Sequence, residues 1–237
     1  GRIAGHLGLD NLIMYYDANN VQLSTTVEEV DSEDVAAKYK AWGWHVIEID
    51  GCCPDQIRTA LKEAKATVGK PTLIIGKTVM GRGAVGPNGE NYENRVNTHG
   101  QPLSAAGACF EGTVKNLGGD PSEPFQIFPE VQALYDARLK HLRELAAARK
   151  KEEETWREDN PDRAKKLDEW FSGKTPSVDW SQVEQKPNQA TRAASATVLS
   201  ALATQVENMI VASADLSNSD KTDGFLKKTR ALSRGDF

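Results

Sequence analysis

An α/β fold is expected, with a parallel sheet and flanking helices, a long helical segment, and the start of a second α/β domain. Three observations predict it. Short apolar runs at residues 12–16, 45–49 and 72–79 alternate with two segments of helical periodicity. The links between them are the length of single helices, which implies right-handed β-α-β crossovers and parallel strands. Beyond residue 129, apolar residues recur at helical spacing for several turns and then give way to charge.

Each element has a local reason. Leu12-Ile13-Met14-Tyr15 reads as a buried parallel strand. The first helix is expected to start near Asp31 or Ser32, both good caps, and to carry Val35, Tyr39 and Trp42 on one stripe before Gly43 ends it. The second opens with Pro54 in its first turn and repeats Ile57, Leu61, Ala64 and Val68 before Gly69. Residues 80–97 form a long polar loop, which is usually functional or mobile. Helices are expected over 104–117, 130–157 and 190–206. Asn160-Pro161-Asp162 restarts a helix that brings Leu167, Trp170 and Phe171 inward. A short strand is expected at 209–212, and residues 174–189 read as a linker. The opening Gly1-Arg2-Ile3-Ala4 runs within ten residues into a core strand, with no first turn or cap, and reads as a chain cut from something longer.

Composition narrows the function classes. A formal net charge of −5, with bases and acids mixed between Arg138 and Lys166, argues against a nucleic-acid partner. No run approaches the roughly 20 apolar residues that span a bilayer, so no membrane role is expected. Three cysteines, Cys52 and Cys53 adjacent, suit a reducing, cytoplasmic setting and carry no zinc-type spacing.

The most informative segment is Tyr16-Asp17-Ala18-Asn19-Asn20-Val21, because it follows a strand. Open α/β sheets bind ligands beyond the carboxyl ends of their strands. Amide and backbone carbonyl oxygens there are hard neutral donors, suited to a small divalent cation holding a diphosphate. The turns at 17–20, 50–52 and 80–83 should share that edge.

Ala4-Gly5-His6-Leu7-Gly8-Leu9-Asp10-Asn11-Leu12, running into Tyr16-Asp17-Ala18-Asn19, resembles the second half of the thiamine-diphosphate motif of transketolases. Further matches follow in order: Ala41-Trp42-Gly43-Trp44-His45-Val46, Lys70-Pro71-Thr72-Leu73, Lys77-Thr78-Val79-Met80-Gly81-Arg82-Gly83 and His99-Gly100-Gln101-Pro102-Leu103. Arg192-Ala193-Ala194-Ser195 and Ser213-Ala214-Asp215-Leu216 complete the series. The resemblance is to the central portion of a bacterial-type transketolase, with a thiamine-diphosphate-binding fold. It implies transfer of a two-carbon ketol unit between sugar phosphates in the pentose phosphate pathway, by a homodimer using thiamine diphosphate and Mg²⁺, or Ca²⁺ or Mn²⁺ in its place.

Carried over, Asn19 and the Val21 backbone carbonyl resemble the metal ligands, and Asn19 also meets the cofactor. His99 resembles a histidine that contacts the cofactor diphosphate and the substrate hydroxyls, where it can move protons. Asp215 resembles an acid near the cofactor. Arg192 and Ser219 resemble the pair that grips the sugar phosphate. Arg192 near a helix start opposes the macrodipole, a mismatch that a bound anion would reverse. The resemblance divides the chain into residues 1–172, the rear of a diphosphate-binding domain with a helical extension; 173–189, a linker; and 190–237, the front of a pyrimidine-binding domain.

Departures are equally definite. The family's Gly-Asp-Gly metal aspartate and its glutamate for the aminopyrimidine ring have no counterpart in these residues, so no ketol transfer is expected from this chain alone. Arg192-Ala193-Ala194-Ser195 replaces Arg-Lys-Ala-Ser, and Val211-Ala212-Ser213-Ala214-Asp215 replaces Gly-Gly-Ser-Ala-Asp. Two alternatives remain: a dihydroxyacetone synthase-like transferase, and a non-catalytic half or assembly subunit of a split thiamine-diphosphate enzyme. A dinucleotide-binding domain is disfavoured, since Gly81-Arg82-Gly83 opens no helix.

Overall fold

The computed structural model describes residues 1–234. Two compact units divide it, one built on Gly1–Phe128 and the other on Pro129–Leu232. The first unit contains helix α1 (Arg2–Leu7), strand β1 (Ile13–Ala18), helix α2 (Val35–Ala41), strand β2 (His45–Asp50), helix α3 (Pro54–Ala66), strand β3 (Thr72–Lys77) and helix α4 (Phe110–Asn116). The strands form one parallel sheet in the order β1-β3-β2, with Ala18 and Asp50 both paired to Lys77. The three carboxyl ends are therefore level. That common edge positions the site.

β3 is the centre of the unit. Its alternation sends Leu73 and Ile75 towards Ala4, Trp44, Val35 and Tyr39, and Ile74 towards Ala60 and Ala64 of α3. Tyr39 meets Trp42 and Trp44 edge-on at 5.0 and 5.1 Å. The Trp44 indole N–H donates to the Gly1 carbonyl at 2.9 Å. α1 rests against this cluster through Gly5, where an added Cβ would overlap the Trp42 carbonyl oxygen. Gly5→Ala is accordingly expected to cost about 1–3 kcal/mol through overpacking. Urea unfolding checks this; an unchanged midpoint would mean that α1 adjusts freely.

Several sequence expectations change. Among the described residues β1 pairs with β3 alone, and Met14, Tyr15 and Tyr16 are exposed rather than buried. α1 precedes it, closed by Gly8 at φ 69°. α2 is capped by Asp34, whose carboxylate accepts from the Ala37 N–H at 2.8 Å. Asp31 instead closes the turn before it by accepting from Glu33 N–H. α3 buries Ala60 and Ala64, while Leu61 is exposed and Val68 lies past the helix end.

The helix expected over 104–117 begins only at Phe110. Gly107 at φ 93° and a turn from Pro102 to Ala106 hold the preceding residues out of helix. The polar loop ahead of it has a core of its own. Ala84, Tyr92 and Ala108 pack with Leu103, and the Tyr92 hydroxyl donates to the Ala106 carbonyl at 2.5 Å.

The second unit contains helices α5 (Pro129–Asp159), α6 (Pro161–Phe171), α7 (Thr191–Gln205), α8 (Ser217–Asp220) and α9 (Asp223–Leu226). The strand expected at 209–212 is not one: no described residue offers it a ladder, and Ile210 is exposed. Trp170 and Phe171 are exposed rather than inward, since α6 buries Ala164 instead. α9 seats Phe225 as the buried residue beside α7, where the Ser200 hydroxyl donates to the Gly224 carbonyl at 2.7 Å. Among the described residues no helix is long and apolar enough to cross a membrane.

Candidate functional site

A cavity of about 530 Å³ lies at the carboxyl edge of the sheet. Asn19, Val21, Glu28, Lys77, Thr78 and Asn94 are among its lining residues. Its floor is the turn after β1. Asn20 adopts φ 61°, a left-handed conformation asparagine tolerates, and reverses the chain there. The Asn19 side-chain oxygen accepts from the Val21 N–H at 3.0 Å. The Asn20 amide donates to Glu28 at 3.2 Å, and its carbonyl accepts from the Val27 N–H at 3.1 Å. The residues closing the turn are therefore held from both sides.

The donor chemistry suits a cation of limited protein coordination. Among the described residues no group of three or more His, Cys, Asp or Glu could hold a metal ion. Asn19 and Val21 instead offer an amide oxygen and a backbone carbonyl. Mg²⁺ typically takes few protein ligands and completes its shell with waters and the ligand's phosphates. Lys77 on the same wall complements a diphosphate. These residues fit a metal–diphosphate pair.

Behind the turn, the Asp17 carboxylate accepts from the Thr78 hydroxyl and from the Asn19 amide. The end of the Tyr15 side chain occupies the space beside Gly76 and Gly51 where Cβ atoms would otherwise stand. Partial desolvation of the phenol end, and then the Asp17 charge, push the Tyr15 pKa up.

His99 follows a short 3₁₀ turn, Val96–Thr98, and is half-buried. Its Nδ1 is buried, with no hydrogen-bond partner among the described residues. The next residue, Gly100, sits against Leu23: a Cβ there would be 3.0 Å from the leucine side chain. Gly100 thus comes near Leu23, two residues past the Asn19–Val21 turn, while His99 itself is not among the residues lining the cavity.

In the second unit, Arg192 stands in the first turn of α7 and donates to the Ser219 carbonyl at 3.4 Å. The Ser219 hydroxyl donates to the Leu216 carbonyl at 3.1 Å. Asp215 turns the chain at φ 62°. Asp220 is held below the usual carboxylate range by the Thr222 N–H first and the Ser213 hydroxyl next. The arrangement brings Arg192 and Ser219 together, with Asp215 in the same turn region. Asn19, Val21 and His99 belong to the first unit.

Sequence reasoning quoted Lys77 and Thr78 only as parts of a motif and passed over Glu28 and Asn94. The position of Lys77 at the end of a strand was a usable signal for a ligand-edge residue. Asn94 had none, because it reaches the cavity through a reciprocal pairing with Met80, at 2.8 and 3.1 Å, that spans fourteen residues.

A family model described as "Transketolase, thiamine diphosphate binding domain" matches residues 1–176. The chain belongs to the transketolase family. It is 35% identical over 228 residues to Transketolase 2 of Xanthobacter flavus, covering 93% of this chain and 32% of that protein. It is 33% identical to the transketolase of Geobacillus stearothermophilus, with 93% and 33% covered. Among solved structures it is similar to a transketolase from Pichia stipitis in complex with sedoheptulose-7-phosphate. The TM-score there is 0.77 at 30% identity, over 93% of this chain and 32% of that one. A transketolase from Leishmania mexicana gives a TM-score of 0.78 at 29% identity, with 93% and 32% covered. The chain thus spans about a third of the length of these transketolase relatives.

Proposed function

We propose that this chain is the part of a transketolase that holds thiamine diphosphate and a divalent cation, in an enzyme moving a two-carbon ketol unit from a ketose phosphate to an aldose phosphate. The observation that carries the proposal is the cavity where Asn19, Val21 and Lys77 meet at the level strand ends. Asn19 through its side-chain oxygen and Val21 through its carbonyl hold the cation, Mg²⁺ or a Ca²⁺ or Mn²⁺ substitute. Bound there, thiamine diphosphate supplies an electron sink for carbon–carbon cleavage. Lys77 offsets diphosphate charge.

His99 orients the sugar hydroxyls and moves a proton at its nitrogen. Arg192 and Ser219 anchor the remote sugar phosphate, and Asp215 contributes an acid near the cofactor. Residues 1–172 form the diphosphate-binding part with its helical extension, 173–189 the linker, and 190–237 the opening of the pyrimidine-binding domain. The working enzyme is a cytoplasmic homodimer of the pentose phosphate pathway. Sugar phosphates as substrates are supported by the Pichia stipitis transketolase solved with sedoheptulose-7-phosphate.

A coupled assay of ketol transfer on the full-length protein, stripped of cofactor, tests the proposal. Transfer should require added thiamine diphosphate and a divalent cation. Transfer independent of the cofactor, or none with any sugar-phosphate pair, would overturn it.

A further inference from the structure

We infer that Asp17 is a positioning residue that fixes which end of the Asn19 amide faces the cation site. The inference rests on the reading of Asn19 as a cation ligand. An asparagine amide has two ends alike in shape and opposite in chemistry, so its neighbours decide its orientation. On one side stands the Val21 N–H, 3.0 Å from Oδ1. On the other stands the Asp17 carboxylate, 3.5 Å from Nδ2. A backbone N–H can only donate and an ionised carboxylate can only accept. One orientation satisfies both; the flipped amide would set donor against donor and acceptor against acceptor.

Asp17 is itself fixed. Its other oxygen accepts from the Thr78 hydroxyl, just past the end of β3. The carboxylate therefore ties the end of β1 to the end of β3 and aims the amide between them. An amide oxygen that accepts one N–H keeps a second lone pair for a cation. Outer partners of this kind commonly change metal affinity by about 10–100-fold when removed.

The variants give an order that a merely structural role would reverse. Asp17→Asn keeps the shape and one acceptor for Thr78, yet can turn an NH₂ towards Asn19 and favour the flipped amide. Asp17→Ala removes the acceptor without offering a donor. We expect the asparagine variant to weaken Mg²⁺ binding by at least about tenfold, and more than the alanine variant does. A structural role would make alanine the worse change.

The readout is calorimetric titration of Mg²⁺ into the full-length protein with saturating thiamine diphosphate, alongside cofactor-free melting curves. Either Asp17 change made on top of Asn19→Ala should add less than about twofold, because it acts through a group already gone. If Asn19→Ala weakens Mg²⁺ binding and Asp17→Asn does not, or adds its full loss on top of Asn19→Ala, the positioning role is overturned and the ligand reading stands. If Asn19→Ala leaves Mg²⁺ affinity unchanged, the ligand reading falls, and the positioning role with it. Should the asparagine variant fail to fold, Asp17→Ala, Asn19→Ala and their double variant complete the same cycle.

Discussion

Replacing His99 by alanine in the full-length protein is expected to lower turnover by about 10²–10⁴-fold, the usual contribution of a positioned proton-transfer group. Stability should hardly move. Among the described residues the buried Nδ1 has no partner, so its loss breaks no hydrogen bond among them there. A buried polar atom without a partner is unfavourable in the free protein, and a ligand hydroxyl or phosphate oxygen would relieve it. The truncation should therefore be neutral or mildly stabilising without ligand, and damaging with it. Steady-state kinetics with melting curves, both with and without thiamine diphosphate, separate the two effects. Turnover at the wild-type level in a normally folded variant would remove His99 from the chemistry.

Arg192→Ala should raise the Michaelis constant for phosphorylated sugars by tenfold or more and change turnover much less. Charge-assisted hydrogen bonds from a guanidinium to phosphate are worth about 1.5–3 kcal/mol each. A phosphate remote from the breaking bond is held alike in ground and transition states, so its anchor acts on the Michaelis constant. The geometry gives the expectation its shape. The guanidinium already reaches the Ser219 carbonyl at 3.4 Å, which orients it across the α8 turn. Donors without a phosphate should be nearly indifferent to the substitution. Equal losses for phosphorylated and unphosphorylated donors would make Arg192 a structural residue.

The central sheet was legible because its signals are local. Strand and helix periods alternate within eighty residues, Pro54 marks a helix start, and Gly43 and Gly69 fall just past helix ends. The ligand edge followed from topology, since parallel strands bring Ala18, Lys77 and Asp50 level. Burial was less legible. An apolar run such as Met14-Tyr15-Tyr16 looks the same whether or not other elements cover it, and only tertiary packing separates the two. The residues at 209–212 carry strand composition but lack a described partner, and composition cannot supply a ladder.

The loop between β3 and α4 was unreadable for a different reason. Tyr92, Asn97 and Ala106 are joined by side-chain bonds of 3.0 and 2.7 Å that no periodicity encodes. The same holds at the site. Asn19 could be picked out by its place after a strand, whereas Asn94 reaches the cavity by non-local bonds.

The central claim is that the turn after β1 holds a cation and, through it, a diphosphate. It is tested most directly by titrating thiamine diphosphate into metal-free full-length protein, with and without Mg²⁺, for the wild type and for Asn19→Ala. Mg²⁺ should tighten cofactor binding strongly in the wild type, and Asn19→Ala should erase most of that gain, because a metal demanding near-octahedral oxygen coordination loses one of few protein ligands. Cofactor binding that is indifferent to Mg²⁺, or a Mg²⁺ gain of equal size in the variant, would contradict the account.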